Sequence, residues 1–291
     1  MGASVESALR TVRTEGGRDY SHIALSYVVP VYFNQADTST LSSLLEIYAT
    51  YDNAVLDRVQ FVIVDDGSPI PATLLRSINL NALLLRITKD IPWNQSGARN
   101  LGVVYARSDK ILLTDVDLEI PADTLRRLIC MKAPGRRIYK MRRLNPDGSE
   151  RKPAPNTFVL SRGRFLRLYG YDEEFSGHYG FEDTMFCRWQ RYHGTRFLFL
   201  PRSCYTKRRL LDNSRSYHSL ERDMTHNGAV ADQKRHRWRT HGWEAGHSRK
   251  FLNFSWEVVE DRQRRSERPE PANHPLWTKT WWWRWLFDGA R

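Results

Sequence analysis

Asp115 and Asp117 are the residues of this sequence whose type and spacing best suit metal chemistry. They stand one residue apart, directly after the strand-forming run Lys110-Ile111-Leu112-Leu113-Thr114. Two carboxylates at a strand end can face one divalent cation, which prefers oxygen ligands and can take nucleotide phosphates in its other positions. Such a site suits an enzyme whose reaction has a diphosphate as the leaving group. Acidic pairs also occur in ordinary turns, so this interpretation depends on the surrounding elements.

Three further apolar runs predict strands ahead of this pair. They cover residues 23–29, 59–64 and 82–87, and the second ends in Asp65-Asp66-Gly67-Ser68. Helical spacing of apolar residues after Thr40, and a second segment from Ser96 to Ala106, predict helices between the strands. This alternation predicts an α/β fold with a doubly wound, mostly parallel sheet. Ligands of such sheets bind at the carboxyl ends of the strands, so the acidic turns are expected to converge on one edge.

Several functional classes are disfavoured by what the sequence lacks. It contains neither a dinucleotide-binding glycine fingerprint nor a P-loop, which argues against ordinary dehydrogenases and NTPases. The three cysteines lack metal-ligand spacing and favour a reducing compartment. The first residues do not resemble a secretory signal, and no apolar run is long enough to span a bilayer. We therefore expect a cytoplasmic protein.

The positive charge is concentrated in the second half of the chain. The formal net charge is +12, but residues 1–130 carry −3 and residues 131–291 carry +15. A basic surface of this kind favours anionic partners, such as an acidic polysaccharide, a phosphorylated lipid carrier, an anionic membrane face or nucleic acid. The alternative is that this basic surface is simply solvated and has no specific anionic partner.

Five blocks of the sequence follow one another in a distinctive order. They are Val29-Pro30-Val31-Tyr32-Phe33-Asn34, Val64-Asp65-Asp66-Gly67-Ser68, Gly97-Ala98-Arg99-Asn100, Thr114-Asp115-Val116-Asp117 and residues 169–183. Their order and spacing resemble those of family 2 glycosyltransferases, over roughly residues 23–210. The fifth block, around Tyr171 and Asp183, is similar to the acceptor-side block of chondroitin-polymerase-type enzymes and β-1,4-galactosyltransferases.

The resemblance implies a GT-A fold, which is Rossmann-like, with a mostly parallel central sheet flanked by helices. It also implies a nucleotide-sugar donor, with a UDP-sugar the first choice, a divalent cation (Mn²⁺ or Mg²⁺) and inversion at the anomeric carbon. The acceptor would be a glycan, a glycolipid or a lipid-linked glycan in polysaccharide or glycoconjugate synthesis. The enzyme would be of the hexosyl- or N-acetylhexosaminyltransferase type.

The resemblance also assigns roles to residues on the donor side. Asp66 would accept a hydrogen bond from the nucleotide base, and Arg99 would lie near the nucleotide and its phosphates. Asp117 would be the direct metal ligand, and Asp115 would address ribose and metal. Beside the base would lie Pro30, Tyr32 and Asn34.

The resemblance assigns the catalytic residues to the acceptor side. Asp183 matches the general base, and the adjacent Glu182 is the alternative, because only one of the two can occupy that place. Both could instead be an acidic pair at a helix amino terminus, favourable to the helix dipole. For a third metal ligand, His218 is the first candidate and His226 the second. The basic residues 207–209 could hold the donor phosphates or the acceptor, or form a solvated loop.

The predicted organisation has four parts. Residues 1–22 form a lead-in, 23–210 the GT-A catalytic domain, 211–260 a mainly helical basic extension, and 261–291 a linker with a Trp-rich tail. In the tail, Trp277, Trp281 and Trp285 fall on one stripe of a helix beside Lys and Arg. This pattern is typical of segments in a membrane interface, which would place the enzyme peripherally on the inner face of the cytoplasmic membrane. The alternative is that the tail packs on protein.

Two other functions share some of these features. A nucleotidyltransferase would have a similar sheet and metal carboxylates, but the first loop lacks a triphosphate-binding pattern rich in glycine and basic residues. A non-catalytic, basic glycan- or nucleic-acid-binding module on a transferase-like fold is the second. Nucleic acid is the less favoured partner, because no RNA-binding signature accompanies the basic and aromatic residues of the extension.

Overall fold

An eight-stranded, mostly parallel sheet forms the centre of the protein. The computed structural model describes residues 20–34, 39–211 and 221–264. The strands of this sheet are β1 Leu25–Val31, β2 Val59–Asp65, β3 Asn81–Ile87, β4 Lys110–Leu113, β6 Arg137–Lys140, β9 Phe158–Ser161, β10 Arg196–Phe199 and β12 Trp256–Arg262. Their order in the sheet is β10-β6-β9-β4-β1-β2-β3-β12, in which β9 and β12 run antiparallel to their neighbours.

Helices cover both faces of this sheet, so β1 and β2 are buried along their whole length and are mostly apolar. Tyr27 and Val29 of β1 belong to the core beneath the first helix, whereas Val28 faces the other core, beneath the helix that begins at Gln95. This alternation is what a strand buried on both sides requires. The helices are α1 Ser39–Ala49, α2 Asn53–Leu56, α3 Gln95–Val104, α4 Ala122–Cys130, α5 Arg162–Arg167, α6 Glu182–Tyr192 and α7 Thr225–His241.

A second, smaller sheet follows directly on the acidic pair after β4. Its strands are β5 Leu118–Glu119, β7 Arg142–Leu144, β8 Glu150–Arg151 and β11 Tyr205–Arg208. Their order is β5-β11-β7-β8, so the sheet joins segments that are distant in sequence. Because β5 begins at Leu118, one residue after Asp117, this sheet fixes where the acidic pair points.

The predicted α/β architecture is confirmed, and the four predicted strands match β1 to β4 within two residues.

The extension contains the expected helix, α7. It also contains β12, which the sequence interpretation missed and which crosses the predicted boundary between residues 260 and 261. This strand adds antiparallel to β3 with a bulge between Val258 and Glu260. The bulge and the exposed edge position interrupt the regular alternation that identifies strands from sequence.

Three predicted features lie wholly or mostly outside the described residues. These are the lead-in, of which only residues 20–22 are described, the Trp-rich tail, and His218, the first candidate for a third metal ligand. Membrane contact through the tail therefore stays a prediction. Among the described residues, none of the helices is both long enough and apolar enough to cross a bilayer.

Candidate active site

Asp65 holds the turn after β2, and the next residue, Asp66, is the carboxylate predicted to contact the nucleotide base. Asp65 accepts hydrogen bonds from the Ser68 and Ala72 backbone amides at 2.8 and 3.0 Å, and its Oδ2 lies 2.7 Å from Arg86 Nη1. Asp66 accepts from Asn94 Nδ2 at 3.1 Å. The turn therefore positions Asp66 against the loop that precedes α3, at the carboxyl edge of the sheet.

The close approach of these two loops depends on Gly67. Its φ is +74°, and a Cβ at this position would lie 2.8 Å from the Lys89 carbonyl oxygen. Any other residue would be strained both by its backbone conformation and by this contact. The glycine of the second sequence block is therefore required by the packing of the loops around Asp66.

The residues predicted to surround the nucleotide base begin at the end of β1. Pro30 is buried within the strand opposite Val64, and Asn34 is exposed. Tyr32 is half-buried, and its hydroxyl donates to Asp90 Oδ2 at 3.3 Å. Burial and the neighbouring Asp90 raise the pKa of Tyr32 to about 12. Tyr32 therefore stays a hydrogen-bond donor at neutral pH, and base contact by these residues stays a prediction.

Arg99 bridges the two acidic groups of the candidate site. Its side chain is fully buried, with Nη2 2.7 Å from Asp115 Oδ1 and Nη1 3.0 Å from Asp183 Oδ1. Tyr171 donates its hydroxyl to the same Asp183 oxygen at 3.0 Å. The end of β4 and the start of α6 are thus joined by one guanidinium. We expected Arg99 near the nucleotide phosphates, and its observed contacts are with these carboxylates; a phosphate contact stays a prediction.

Asp117 has the environment expected of a metal ligand. Within the described residues, no other side chain forms a hydrogen bond or ion pair with its half-buried carboxylate. Burial and the nearby Asp115 raise its pKa to about 6, against the opposing effect of Arg143 and Arg208. A desolvated carboxylate beside a second one fits a hard divalent cation that takes its other ligands from water and phosphate. No cluster of three or more His, Cys, Asp or Glu ligands occurs in the described part of the chain.

The basic residues 207–209 have three different environments. Arg209 fixes the acidic loop, because its amide donates to the Asp117 carbonyl at 2.8 Å and its guanidinium donates to the Val116 carbonyl at 2.7 Å. The same guanidinium also bonds α1. Lys207 lies 3.9 Å from a Glu119 oxygen. Of the three, Arg208 is therefore the residue best placed to act beside Asp117.

Glu182 and Asp183 open α6 after a residue in a strained conformation. Phe181, the residue before the helix, has a φ of +70°. Burial and then Asp183 raise the pKa of Glu182 to about 7. Burial also raises the pKa of Asp183, although Arg99 opposes it. Asp183 is the better oriented of the two, because Arg99 and Tyr171 hold one of its oxygens and no described residue donates to the other.

Replacing Glu182 by Gln is expected to change how stability depends on pH. The folded-state pKa of about 7 lies above the ordinary value of 4.5, so the folded chain retains a proton that the unfolded chain loses in this window. The free energy of unfolding therefore falls as the pH rises through the range between these two pKa values. In metal-free buffer, Glu182→Gln should raise the free energy of unfolding by on the order of 1–3 kcal/mol near pH 8, and by less toward pH 5.

Urea unfolding at several pH values measures this difference. The matched control is Glu46→Gln, a change of an exposed glutamate on α1, which should leave the pH dependence of unfolding as in the unmodified protein. Equal pH profiles for Glu182→Gln and the unmodified protein would contradict the account of Glu182.

Three residues around the site were not predicted from the sequence. Asn156 donates to Asp115 Oδ2, Tyr171 donates to Asp183, and Arg143 lies close enough to Asp117 to lower its pKa. The Nε of Arg143 is buried and has no partner among the described residues. Tyr171 lies in the fifth sequence block, but nothing in the local spacing around Asn156 or Arg143 indicates a role.

His226, the second candidate for a third metal ligand, belongs to a different contact. It lies in the first turn of α7, and its ring stacks on His178 with centroids 3.6 Å apart. His178 comes from the loop before α6. The pair therefore joins the extension to the acceptor-side block, and a ligand role for either His218 or His226 stays a prediction.

The fold and this edge of carboxylates define a GT-A type transferase. Residues 26–195 match the model of glycosyl transferase family 2, and the chain belongs to that family. Membership favours the glycosyltransferase over the nucleotidyltransferase. The narrower resemblance to chondroitin polymerases and β-1,4-galactosyltransferases stays a prediction. No curated protein matches the sequence significantly.

Three solved structures align with this chain at low sequence identity. Residues 1–349 of S. aureus TarS in complex with UDP-GlcNAc align with a TM-score of 0.50 and 15% identity, over 65% of this chain and 59% of that one. The mannosyltransferase PcManGT from Pyrobaculum calidifontis, in complex with GDP-Man and Mn²⁺, aligns with a TM-score of 0.45 and 14% identity, over 80% and 70% of the two chains. GalNAc-T7 with UDP, GalNAc and Mn²⁺ gives 0.47 and 15%, over 73% and 47%.

Proposed function

We propose that this glycosyltransferase is metal-dependent and inverting, and that it moves a hexose or N-acetylhexosamine from a nucleotide sugar to a glycan, glycolipid or lipid-linked acceptor. The observation that carries the proposal is the Arg99 bridge, which places Asp115 and Asp183 on either side of one guanidinium. Asp115 belongs to the acidic pair that suits a metal, and Asp183 to the acceptor-side block. One site therefore combines a donor half and an acceptor half.

In the donor half, Asp117 and Asp115 would hold Mn²⁺ or Mg²⁺. The bound cation would stabilise the charge that develops on the departing diphosphate. Arg143 and Arg208 lie within electrostatic reach of Asp117, and the unpartnered Nε of Arg143 suits a phosphate oxygen. Asp66 would accept a hydrogen bond from the base, at the opposite end of the nucleotide.

In the acceptor half, Asp183 would take the proton of the attacking hydroxyl. Arg99 and Tyr171 fix one of its oxygens, which leaves the other available. General-base catalysis of this kind contributes about 10²- to 10⁴-fold to a rate. Glu182, with its pKa near 7, is uncharged in a large fraction of molecules at neutral pH, which limits the negative charge around Asp183.

The donor class follows from the family, and a UDP-sugar is the first choice. The charge of +15 on residues 131–291 supports an anionic acceptor, such as an acidic glycan or a sugar on a phosphorylated lipid. We place the reaction in the cytoplasm, with the inner face of the membrane as the site of a lipid-linked acceptor.

A panel of nucleotide sugars is expected to identify the donor. UDP-GlcNAc, UDP-glucose, UDP-galactose and GDP-mannose would each be tested in a thermal shift assay with Mn²⁺. A donor at about 100 times its dissociation constant stabilises the folded state by about 2.7 kcal/mol. Stabilisation that requires Mn²⁺ and disappears in Asp66→Ala would support the proposed donor half. If no nucleotide sugar shifted the transition with or without metal, the proposal would be wrong.

A further inference from the structure

The acceptor-side block makes extensive contacts with a part of the chain that the family match does not include. The match ends at residue 195, whereas α7 and the segment up to Asn253 pack directly on residues 172–181. Phe175, Met185, Ala231 and Trp238 form one buried cluster, and Phe181 packs against it. The extension therefore packs against the start of α6 and supports it.

Asn227, in the first turn of α7, holds the loop before α6. Its side chain is fully buried, and its Nδ2 donates to the carbonyls of Phe175, His178 and Gly180 at 3.0, 2.8 and 2.9 Å. The two N–H groups of one amide are thus shared among three carbonyls within six residues. The loop leads directly into Phe181, whose left-handed conformation sets the direction in which α6 begins.

Lys234, two turns further along α7, holds the beginning of the same block. Its side chain is only 2% exposed, and its Nζ lies 2.7 Å from Asp172 Oδ2 and 2.5 Å from Glu174 Oε2. A buried ammonium with two carboxylate partners is compensated, whereas removal of the ammonium would leave the buried carboxylate of Asp172 without this cation. Burial alone would raise the pKa of Asp172, but His247 and Lys234 keep it low, so this carboxylate is charged.

Glu173 lies between Asp172 and Glu174, and its side chain holds the segment that follows α7. Its Oε1 accepts from the Leu252 amide and from Asn100 Nδ2, both at 2.8 Å, and its Oε2 accepts from the Asn253 amide at 3.2 Å. Asn100 is the neighbour of Arg99 on α3. The three consecutive acids of this block therefore bind the extension on one side and the helix that carries Arg99 on the other.

We propose that the extension positions the acceptor side of the active site, with Asn227 and Lys234 as the positioning residues. This proposal rests on the proposed function. Neither residue contacts Asp115 or Asp117, so the donor half should not need them. Arg99 and Tyr171 fix the side chain of Asp183, whereas α7 fixes the backbone from which that side chain projects. Loss of the α7 contacts should therefore impair transfer to an acceptor more than hydrolysis of the donor.

The test separates these two activities. Donor hydrolysis is followed as nucleoside diphosphate release without acceptor, and transfer is followed with octyl glycosides of glucose, galactose and N-acetylglucosamine. In Asn227→Ala we expect kcat/KM for transfer to the acceptor to fall at least about tenfold, while donor hydrolysis stays within about twofold. Lys234→Met should likewise lose transfer while it keeps donor hydrolysis. Lys234→Arg, which keeps the charge, should recover part of the lost transfer activity.

Asn81→Ala is the matched control for a merely structural effect. Asn81 is also a buried asparagine, and its Nδ2 donates to the Leu56 and Val59 carbonyls, away from α7. We expect Asn81→Ala to be less stable than the unmodified protein, but its rates of donor hydrolysis and of transfer should change by the same factor. If Asn227→Ala lowered both activities by one factor, as a general loss of folded protein would, the proposal would be overturned.

Hydrogen exchange provides a readout that needs no acceptor. Amides of residues 176–184 should exchange about tenfold faster in Asn227→Ala, whereas those of β4 should exchange as in the unmodified protein. Unchanged exchange in residues 176–184 would overturn the proposal even if no glycoside were a substrate. Failure of the proposed function itself would look different, because the unmodified protein would then hydrolyse no donor with any metal.

Discussion

Arg99→Met is expected to destabilise the protein by about 3–5 kcal/mol and to abolish transfer. The fully buried guanidinium is the shared partner of Asp115 and Asp183. Methionine fills similar space but leaves two carboxylates facing each other without a cation. Part of the lost stability should return as the pH is lowered, because protonation of the carboxylates removes the unpaired charge.

Urea unfolding of Arg99→Met and of the control Arg126→Met measures this effect. Arg126 also contacts two aspartates, Asp52 and Asp123, but all three side chains are solvent-exposed. Exposed ion pairs contribute little to stability, so the control should unfold almost as the unmodified protein does. If the two variants were equally stable, Arg99 would not join the two halves of the site as we describe.

Asp183→Asn is expected to lower kcat for transfer by about 10²- to 10⁴-fold with little change in donor affinity. Asparagine keeps the shape and can still accept from Tyr171, but it cannot take a proton from the acceptor. Glu182→Gln should retain most of the activity, because no other side chain among the described residues forms a hydrogen bond that would hold Glu182 in a catalytic orientation. Steady-state kinetics with the donor chosen by thermal shift provides the measurement.

The pair Asp183→Asn and Glu182→Gln distinguishes the two candidate bases. The stability of both variants would be measured alongside, so that a folding defect is not read as a catalytic one. A near-normal rate for Asp183→Asn together with a large loss in Glu182→Gln would mean that the assignment is wrong by one residue.

The central strands were predictable because they are buried on both faces. Residues 25–31 and 59–65 are mostly apolar, with Ser26, Gln60 and Asp65 as their polar members. Their short length, their β-branched residues and the turns beside them identify such runs as strands rather than buried helices. The strands of the small sheet have only two to four residues, and they pair over long separations, such as Tyr205 with Arg142. Short strands of this kind have no periodicity of their own, so nothing local identifies them.

The acidic residues of the site were predictable, but their partners were not. Asp66, Asp115 and Asp117 follow predicted strands, and parallel topology alone brings such positions to one edge. Arg99 lies on a predicted helix, yet its bridge to Asp183 joins residues that are 84 positions apart. Asn156 reaches Asp115 from a loop whose course depends on the small sheet. Contacts of this kind are set by tertiary packing.

The most direct test of the proposed metal-dependent transferase is nucleoside diphosphate release from the donor with and without Mn²⁺, in the unmodified protein and in Asp117→Ala. We predict release that requires the cation, stops when a chelator is added, and falls at least about 10²-fold in the variant while the variant stays folded. Release that proceeded equally without metal, or at the normal rate in Asp117→Ala, would contradict the account.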